Sequence, residues 1–151
     1  MPKRRWVLLS YRVPREPSTP RIAVWRTLRR LGVARLNDGL VALPADARTR
    51  EQLEWLADEI VQAGGEATIW IAESGSIAHE RELIAGMRVA VAQEYRALVA
   101  TAADAGGQRR TLARLRRELR AITRRDYFTA PERAQAVAAI EALAGQLEQA
   151  A

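Results

Sequence analysis

A hairpin signal in the stretch VARLNDGLVALP, residues 33–44, constrains the fold more than any other feature of the chain. Asn37, Asp38 and Gly39 separate two short apolar segments, and these residue types accept the positive φ angles that tight hairpin turns require. Pro44 closes the second segment. The sequence therefore predicts two short antiparallel strands that pair directly with each other.

Signals for one strand and one helix precede this hairpin. RRWVLLSYRV, residues 4–13, is short, apolar and rich in β-forming residues, which predicts a buried strand. Thr19 followed by Pro20 matches an N-cap and a first helical residue, and Gly32 marks the end of the predicted helix. We expect its inward face to hold Ile22, Trp25, Leu28 and Leu31, and its outward face to hold Arg26, Arg29 and Arg30.

A second helix and a fourth strand are predicted after the hairpin. Thr49 and Gln52 match a capping box, and the following stripe of Leu53, Leu56 and Ile60 predicts a helix that Gly64-Gly65 ends. EATIWIAE, residues 66–73, predicts the strand. The order β-α-β-β-α-β is typical of the ferredoxin-like α+β fold, an antiparallel sheet of four strands with two helices on one face.

The composition changes after Ser74-Gly75-Ser76 to alanine, arginine and leucine without strand signals. Three helices are predicted, over about 77–104, 108–126 and 131–149, the last opened by a capping box in residues 129–132. We therefore expect a ferredoxin-like domain over residues 1–75. A helical extension over 76–151 is expected to pack on it or on a partner subunit.

The second of these helices carries eight arginines and one acid, Glu118, between Gln108 and Arg125. At 100° per residue its leucines and Ile122 fall within an arc of about 80°, and the arginines occupy the opposite half. Such a face predicts binding to a polyanion, because the guanidinium fork suits phosphate. The predicted phosphate-binding residues are Arg109, Arg110, Arg114, Arg116, Arg117, Arg120, Arg124 and Arg125.

Two basic patches are expected in total, since residues 1–35 hold ten basic side chains against one acid. Arg26, Arg29 and Arg30 form the predicted secondary patch. The arginine helix has two other interpretations: a solvated surface, or a surface facing the acidic side of the helix over 49–63 in the same or a partner subunit. The acids on that side are Glu51, Glu54, Asp58 and Glu59.

No group of residues in the sequence predicts catalysis. Cysteine is absent, His79 is the only histidine and is expected to cap a helix or face solvent, and no glycine-rich phosphate loop is present. Trp6, Trp25, Trp55 and Trp70 lie in apolar stripes or strands, so we expect them in the core. The sequence predicts a cytoplasmic protein without a membrane span, a metal site, a cofactor or an enzymatic activity.

Several stretches resemble the N-terminal domain of ChrB, the regulator of bacterial chromate-resistance operons. The most specific are YRVPREP, VWRTLRRLG and RDYF, and the resemblance runs from about Arg5 to Leu143. The first half is more distantly similar to the ferredoxin-like middle domain of the PaaX repressors. The ChrB resemblance implies a chromate-responsive transcriptional regulator whose N-terminal part binds DNA and whose separate C-terminal domain senses the oxyanion.

Three hypotheses follow, the first of which is a dimeric regulator that binds double-stranded DNA. Because the sequence stops at Ala151, we expect either that the oxyanion sensor is another polypeptide or that this chain is a shortened or stand-alone relative of the family. The second hypothesis is a protein-interaction or dimerisation module without DNA binding. The third is a metal-dependent nuclease, although LLSYRVP, at the end of the first strand, lacks the aspartate that nuclease relatives of this topology place there.

Overall fold

Residues 4–150, which the computed structural model describes, contain four antiparallel strands and five helices. The mixed α+β class and the antiparallel sheet are thereby confirmed. The elements are β1 (Arg5–Arg12), α1 (Ser18–Leu31), β2 (Ala34–Asn37), β3 (Leu40–Pro44), α2 (Ala47–Gln62), β4 (Glu66–Glu73), α3 (Ile77–Asp104), α4 (Arg109–Arg124) and α5 (Glu132–Ala150).

The chain divides into two compact units at the bond between Ile84 and Ala85, inside α3. The first unit contains the sheet, α1, α2 and the first turns of α3. The second contains the rest of α3 together with α4 and α5, and is helical throughout. Among residues 4–150, no helix combines the length and the apolar character that a membrane span requires.

The sheet has the strand order β2-β3-β1-β4, with β1 in the centre. Val7 lies opposite Leu43 and Leu9 opposite Val41, and all four side chains are fully buried. They share one face of the sheet because alternate residues of a strand point to the same side. The core of the first unit forms where α2 contacts β1 and β4.

The predicted hairpin is confirmed, and its turn depends on Gly39. This glycine has a φ of +78°, and a Cβ added to it would lie 2.6 Å from the Tyr11 carbonyl oxygen. The Tyr11 N–H donates a 2.8 Å hydrogen bond to the Gly39 carbonyl. Glycine is therefore required both by the backbone conformation and by the close approach of β1.

Both predicted N-caps in the first unit are wrong. Helix α1 begins at Ser18 after Pro17, with no side-chain cap, so Thr19 lies inside its first turn. Asp46 caps α2: its Oδ1 accepts from the Thr49 N–H at 2.7 Å, and the Asp46 N–H donates to Thr49 Oγ1 at 3.0 Å. Thr49 is thus the third helical residue of a box that starts earlier, because Asp46 supplies the stronger acceptor.

The inward face of α1 also differs from the prediction. Val24, Leu28 and Leu31 are buried, whereas Ile22 and Trp25 are 47% and 49% exposed. On a helical wheel Trp25 lies about 90° and Ile22 about 150° from the centre of the buried stripe. The predicted stripe of α2 is confirmed, since Leu53, Leu56 and Ile60 are all buried.

The predicted capping box before α5 is replaced by a different contact. Thr129 has a φ of +51°, outside the extended range of an N-cap residue, and α5 begins at Glu132. Both carboxylate oxygens of Asp126 accept from the Ala130 N–H instead, at 3.0 and 3.1 Å. Asp126 therefore orders the connection between α4 and α5.

Candidate nucleic-acid interface

The apolar side of α4 anchors the helix in the core of the second unit. Leu112, Leu115 and Ile122 are buried, and Leu119 packs partly buried against the same cluster. Burial of these side chains holds α4 in place, since each fully buried aliphatic residue contributes roughly 1.5–3 kcal/mol. The predicted inward face of the helix is confirmed.

Seven of the eight predicted arginines are exposed, and Arg125 is the exception. The Arg125 side chain is only 18% exposed, and its Nε donates to Glu94 Oε2 on α3 at 2.8 Å. Its guanidinium also donates to the Ala121 carbonyl at 3.4 Å. Arg125 thus joins α4 to α3, and the exposed surface consists of the other seven arginines.

The arginines lie in three sectors around α4. Arg116 and Arg120 line a groove that α4 forms with α5, and Arg109 lies in the same sector. Arg125 lines a cleft between α4 and α3, and Arg114 lies on that side. The outward sector contains Arg110, Arg117 and Arg124, which follow one another at seven-residue intervals. Only this sector faces away from both neighbouring helices.

Local acids do not neutralise this surface. Asp126 is buried and bound to Tyr95 and Ala130, while Glu118 lines the cleft between α4 and α3. Six of the seven exposed arginines of α4 form no salt bridge with any residue in 4–150: Arg109, Arg110, Arg114, Arg116, Arg117 and Arg120. Helix α4 therefore presents a concentrated positive charge to its surroundings.

A buried hydrogen bond that the sequence did not predict joins α3 to the chain just after α4. Tyr95 on α3 is fully buried, and its hydroxyl donates to Asp126 Oδ2 at 2.9 Å. Burial of the hydroxyl raises the pKa of Tyr95 to about 12. The hydrogen bond to Asp126 and the negative charge of Asp126 contribute to a smaller extent. The two residues are 31 positions apart, and no spacing rule pairs them.

The predicted secondary patch lies on α1 in the first unit. Arg26, Arg29 and Arg30 are all exposed. The guanidinium carbon of Arg29 lies 5.1 Å from the centre of the Trp25 ring, within the range of a cation–π contact. The patch thus combines three guanidinium groups with a half-exposed indole.

The prediction of four core tryptophans is correct only for Trp6, which is 3% exposed and donates its indole N–H to Glu80 Oε1 at 2.8 Å. Trp25, Trp55 and Trp70 are exposed. Trp55 lies on α2 opposite its buried stripe, and Trp70 lies on β4, an edge strand of the sheet. Apolar character alone did not reveal which face each residue occupies.

His79 is exposed near the start of α3, where its backbone N–H donates to Ser76 Oγ at 3.4 Å. Within the described part of the chain, no three histidine, cysteine, aspartate or glutamate side chains come together in a way that could hold a metal ion. The candidate interface therefore consists of arginine side chains and one aromatic ring.

The chain matches the family model described as Protein ChrB, N-terminal, over residues 21–105. The match runs from α1 to the end of α3 and stops before α4; it includes VWRTLRRLG but neither YRVPREP nor RDYF. A search of curated proteins and a search of solved structures each return no match. Because the match covers more than half of the chain, the protein belongs to the ChrB N-terminal family.

Proposed function

We propose that the protein is a dimeric, non-enzymatic transcriptional regulator that binds double-stranded DNA through the arginine surface of α4. Membership of the ChrB N-terminal family supports a role like that of a chromate-resistance regulator. The observation that carries the DNA contact is the set of six exposed arginines on α4 that form no salt bridge with any described residue. An operator-binding protein needs such charge to displace counterions from DNA.

The dimensions of α4 fit a contact with the DNA backbone. The helix has 16 residues and is therefore about 24 Å long, and its outward arginines recur about every 10 Å. Each planar guanidinium can donate two parallel hydrogen bonds to one phosphate. Arg110, Arg117 and Arg124 are the proposed central contacts, since they face away from both neighbouring helices.

The Arg26, Arg29 and Arg30 patch is the proposed second contact. Stacking on Trp25 restrains the Arg29 guanidinium, which lowers the entropy lost when it binds a phosphate. The exposed indole itself could stack on a base at an opened position of the duplex. These residues would give the first unit a DNA contact of its own.

We further infer that the first unit is ferredoxin-like. The strand order β2-β3-β1-β4 and the alternation of strands with α1 and α2 support this assignment. In this arrangement the sheet domain would end near Ser74 and the helical extension would follow it. In line with the ChrB resemblance, a separate domain or protein would sense the oxyanion.

Fluorescence anisotropy with a duplex from upstream of the gene, beside a scrambled duplex, tests the DNA contact. The Arg110→Gln, Arg117→Gln double variant should lower the log-log salt slope by about 1.8, since each phosphate contact contributes about 0.9. Arg12→Gln with Arg50→Gln is the matched control, because these arginines form exposed ion pairs in the first unit. An unchanged slope and affinity in the α4 variant would refute the assignment.

A protein-interaction module is the second candidate, favoured by the acidic side of α2. Glu51, Glu54, Asp58 and Glu59 are exposed there around Trp55, which is 60% exposed. An acidic surface with a central indole suits a basic protein partner, including the α4 surface of another copy. Salt-sensitive self-association without any DNA affinity would favour this candidate. Cleavage of nucleic acid with magnesium or manganese would instead favour a nuclease.

A further inference from the structure

The groove between α4 and α5 has walls of opposite charge. It has a volume of about 490 Å³, with Arg116 and Arg120 on the α4 wall and Glu141 and Glu148 on the α5 wall. All four side chains are exposed, and none of them forms a salt bridge in the described residues. The floor is apolar and consists of Leu119, Val137, Ile140, Ala144 and Gly145.

The apolar surface of α5 continues beyond this groove. Ala136, Ile140 and Leu143 are the buried residues of the helix, yet Ala134, Ala138 and Ala142 are exposed. Only Glu132, Arg133, Glu141 and Glu148 carry charge among its 19 residues. A surface helix of an isolated unit normally carries more charge on its outer side, so this composition indicates a further packing surface.

We propose that this groove is the interface between two copies of the chain, with α4 of each copy packed against α5 of the other. A groove with one basic and one acidic wall complements itself, because a two-fold interface brings the same surface of both copies together. The basic wall of each copy then contacts the acidic wall of its partner. The apolar floors meet between them and form a bundle of four helices.

The charges also select one of two possible arrangements. Helices α4 and α5 run antiparallel across a short connection, since a Cβ added to Gly107, just before α4, would lie 3.7 Å from Leu147 near the end of α5. At about 1.5 Å per residue, Glu141 is then the acid of the groove nearest in height to Arg116. A two-fold axis parallel to the helices places α4 over α5, which pairs arginine with glutamate. An axis across the helices places α4 over α4, which opposes arginine to arginine and is unfavourable.

Gly145 allows the two copies to approach closely. A Cβ added at this glycine would meet nothing within 4 Å, so a larger side chain at this position fits the isolated chain. Glycine inside a helix costs about 1 kcal/mol relative to alanine. A close helix partner over Gly145 offsets this cost, because a small residue permits tight packing.

This inference deepens the proposed function. It rests on that function only for the role of the dimer, which would bring two α4 surfaces to one DNA duplex. It divides the arginines between two tasks. Arg116 and Arg120 would contact the partner copy, while Arg110 and Arg117 lie about 90° further around the helix and would remain open to phosphate. Separate substitutions should therefore abolish dimerisation and DNA binding independently.

Sedimentation velocity of the full chain without DNA, over a range of concentrations, tests the interface. We expect a reversible dimer whose Kd rises on the order of thirtyfold in the Glu141→Arg, Glu148→Arg variant, because attraction becomes repulsion at both symmetric contacts. Adding Arg116→Glu and Arg120→Glu to the same chain should restore the dimer with exchanged charges. Arg110→Glu with Arg117→Glu, on the outward sector, is the control and should leave the dimer intact.

Gly145→Phe gives an independent test, since its ring would occupy the groove, and a Cβ at this position meets nothing within 4 Å in the isolated chain. It should weaken the dimer and preserve the helical circular dichroism. A monomeric wild-type chain, or a dimer unaffected by both the charge reversal and Gly145→Phe, would overturn the proposal. If these variants act as expected but Arg110→Gln with Arg117→Gln leaves DNA binding unchanged, the interface stands and the proposed DNA function fails.

Discussion

Replacing Tyr95 with phenylalanine should lower stability by an amount that depends on pH. The substitution removes only the hydroxyl, which donates to Asp126 Oδ2 at 2.9 Å in a fully buried position. A hydrogen bond to a charged group contributes about 1.5–3 kcal/mol. At neutral pH we therefore expect the free energy of unfolding to fall by about 2 kcal/mol.

The difference between wild type and Tyr95→Phe should shrink at high pH. Since the folded pKa of Tyr95 is raised from 10.0 to about 12, the stabilisation is complete below pH 10 and is lost as pH rises through 12. At pH 11 the wild type should have lost about 1.4 kcal/mol that the phenylalanine variant cannot lose. The remaining difference should then be about 0.6 kcal/mol.

Urea unfolding followed by circular dichroism at pH 7 and pH 11 measures both differences. The chain suits an alkaline experiment because 23 of its 24 basic residues are arginine, which stays protonated at these pH values. Tyr11→Phe is the control, since it removes the same hydroxyl group from a half-buried tyrosine of the sheet. A constant stability difference between wild type and Tyr95→Phe at the two pH values would refute the reasoning.

Two further predictions concern the first unit. Gly39→Ala should destabilise the protein by roughly 2 kcal/mol or more in urea unfolding, because it combines a strained φ with a 2.6 Å approach to the Tyr11 carbonyl; a loss below 0.5 kcal/mol would contradict this. Trp25→Ala should leave stability nearly unchanged, since the ring is half-exposed, but weaken DNA binding about threefold in anisotropy through loss of the Arg29 contact. Equal DNA affinity of wild type and Trp25→Ala would show that the α1 patch does not contact DNA.

Local signals predicted the sheet well. Gly39 fixed the hairpin, and β4 has the predicted bounds of Glu66–Glu73, because turn chemistry and strand composition act over a few neighbouring residues. The inward face of α1 was mispredicted because Ile22, Trp25 and Leu28 follow a helical period as well as Val24, Leu28 and Leu31 do. Only packing against the rest of the unit distinguishes the two sets.

In the candidate site, too, contacts within one helix could be predicted from the sequence, whereas contacts between distant residues could not. Wheel geometry predicted that Leu112, Leu115 and Ile122 would be buried opposite the arginines, since all these residues lie on one helix. It could not predict that Arg125 binds Glu94 or that Asp126 binds Tyr95, because each pair joins residues 31 positions apart. Arg125 was therefore counted with the exposed arginines although it is mostly enclosed.

The arginine surface of α4 carries a cost that points to its use. Arg110 and Arg114, Arg116 and Arg120, and Arg120 and Arg124 are like charges at i,i+4 spacing, and each such pair destabilises a helix by about 0.2–0.5 kcal/mol. Burial of the leucines outweighs this repulsion, but the repulsion persists until an anion relieves it. Moderate salt, and sulfate or DNA more strongly, should therefore raise the melting temperature. A melting temperature that is independent of salt and DNA would indicate that the repulsion is already relieved within the chain.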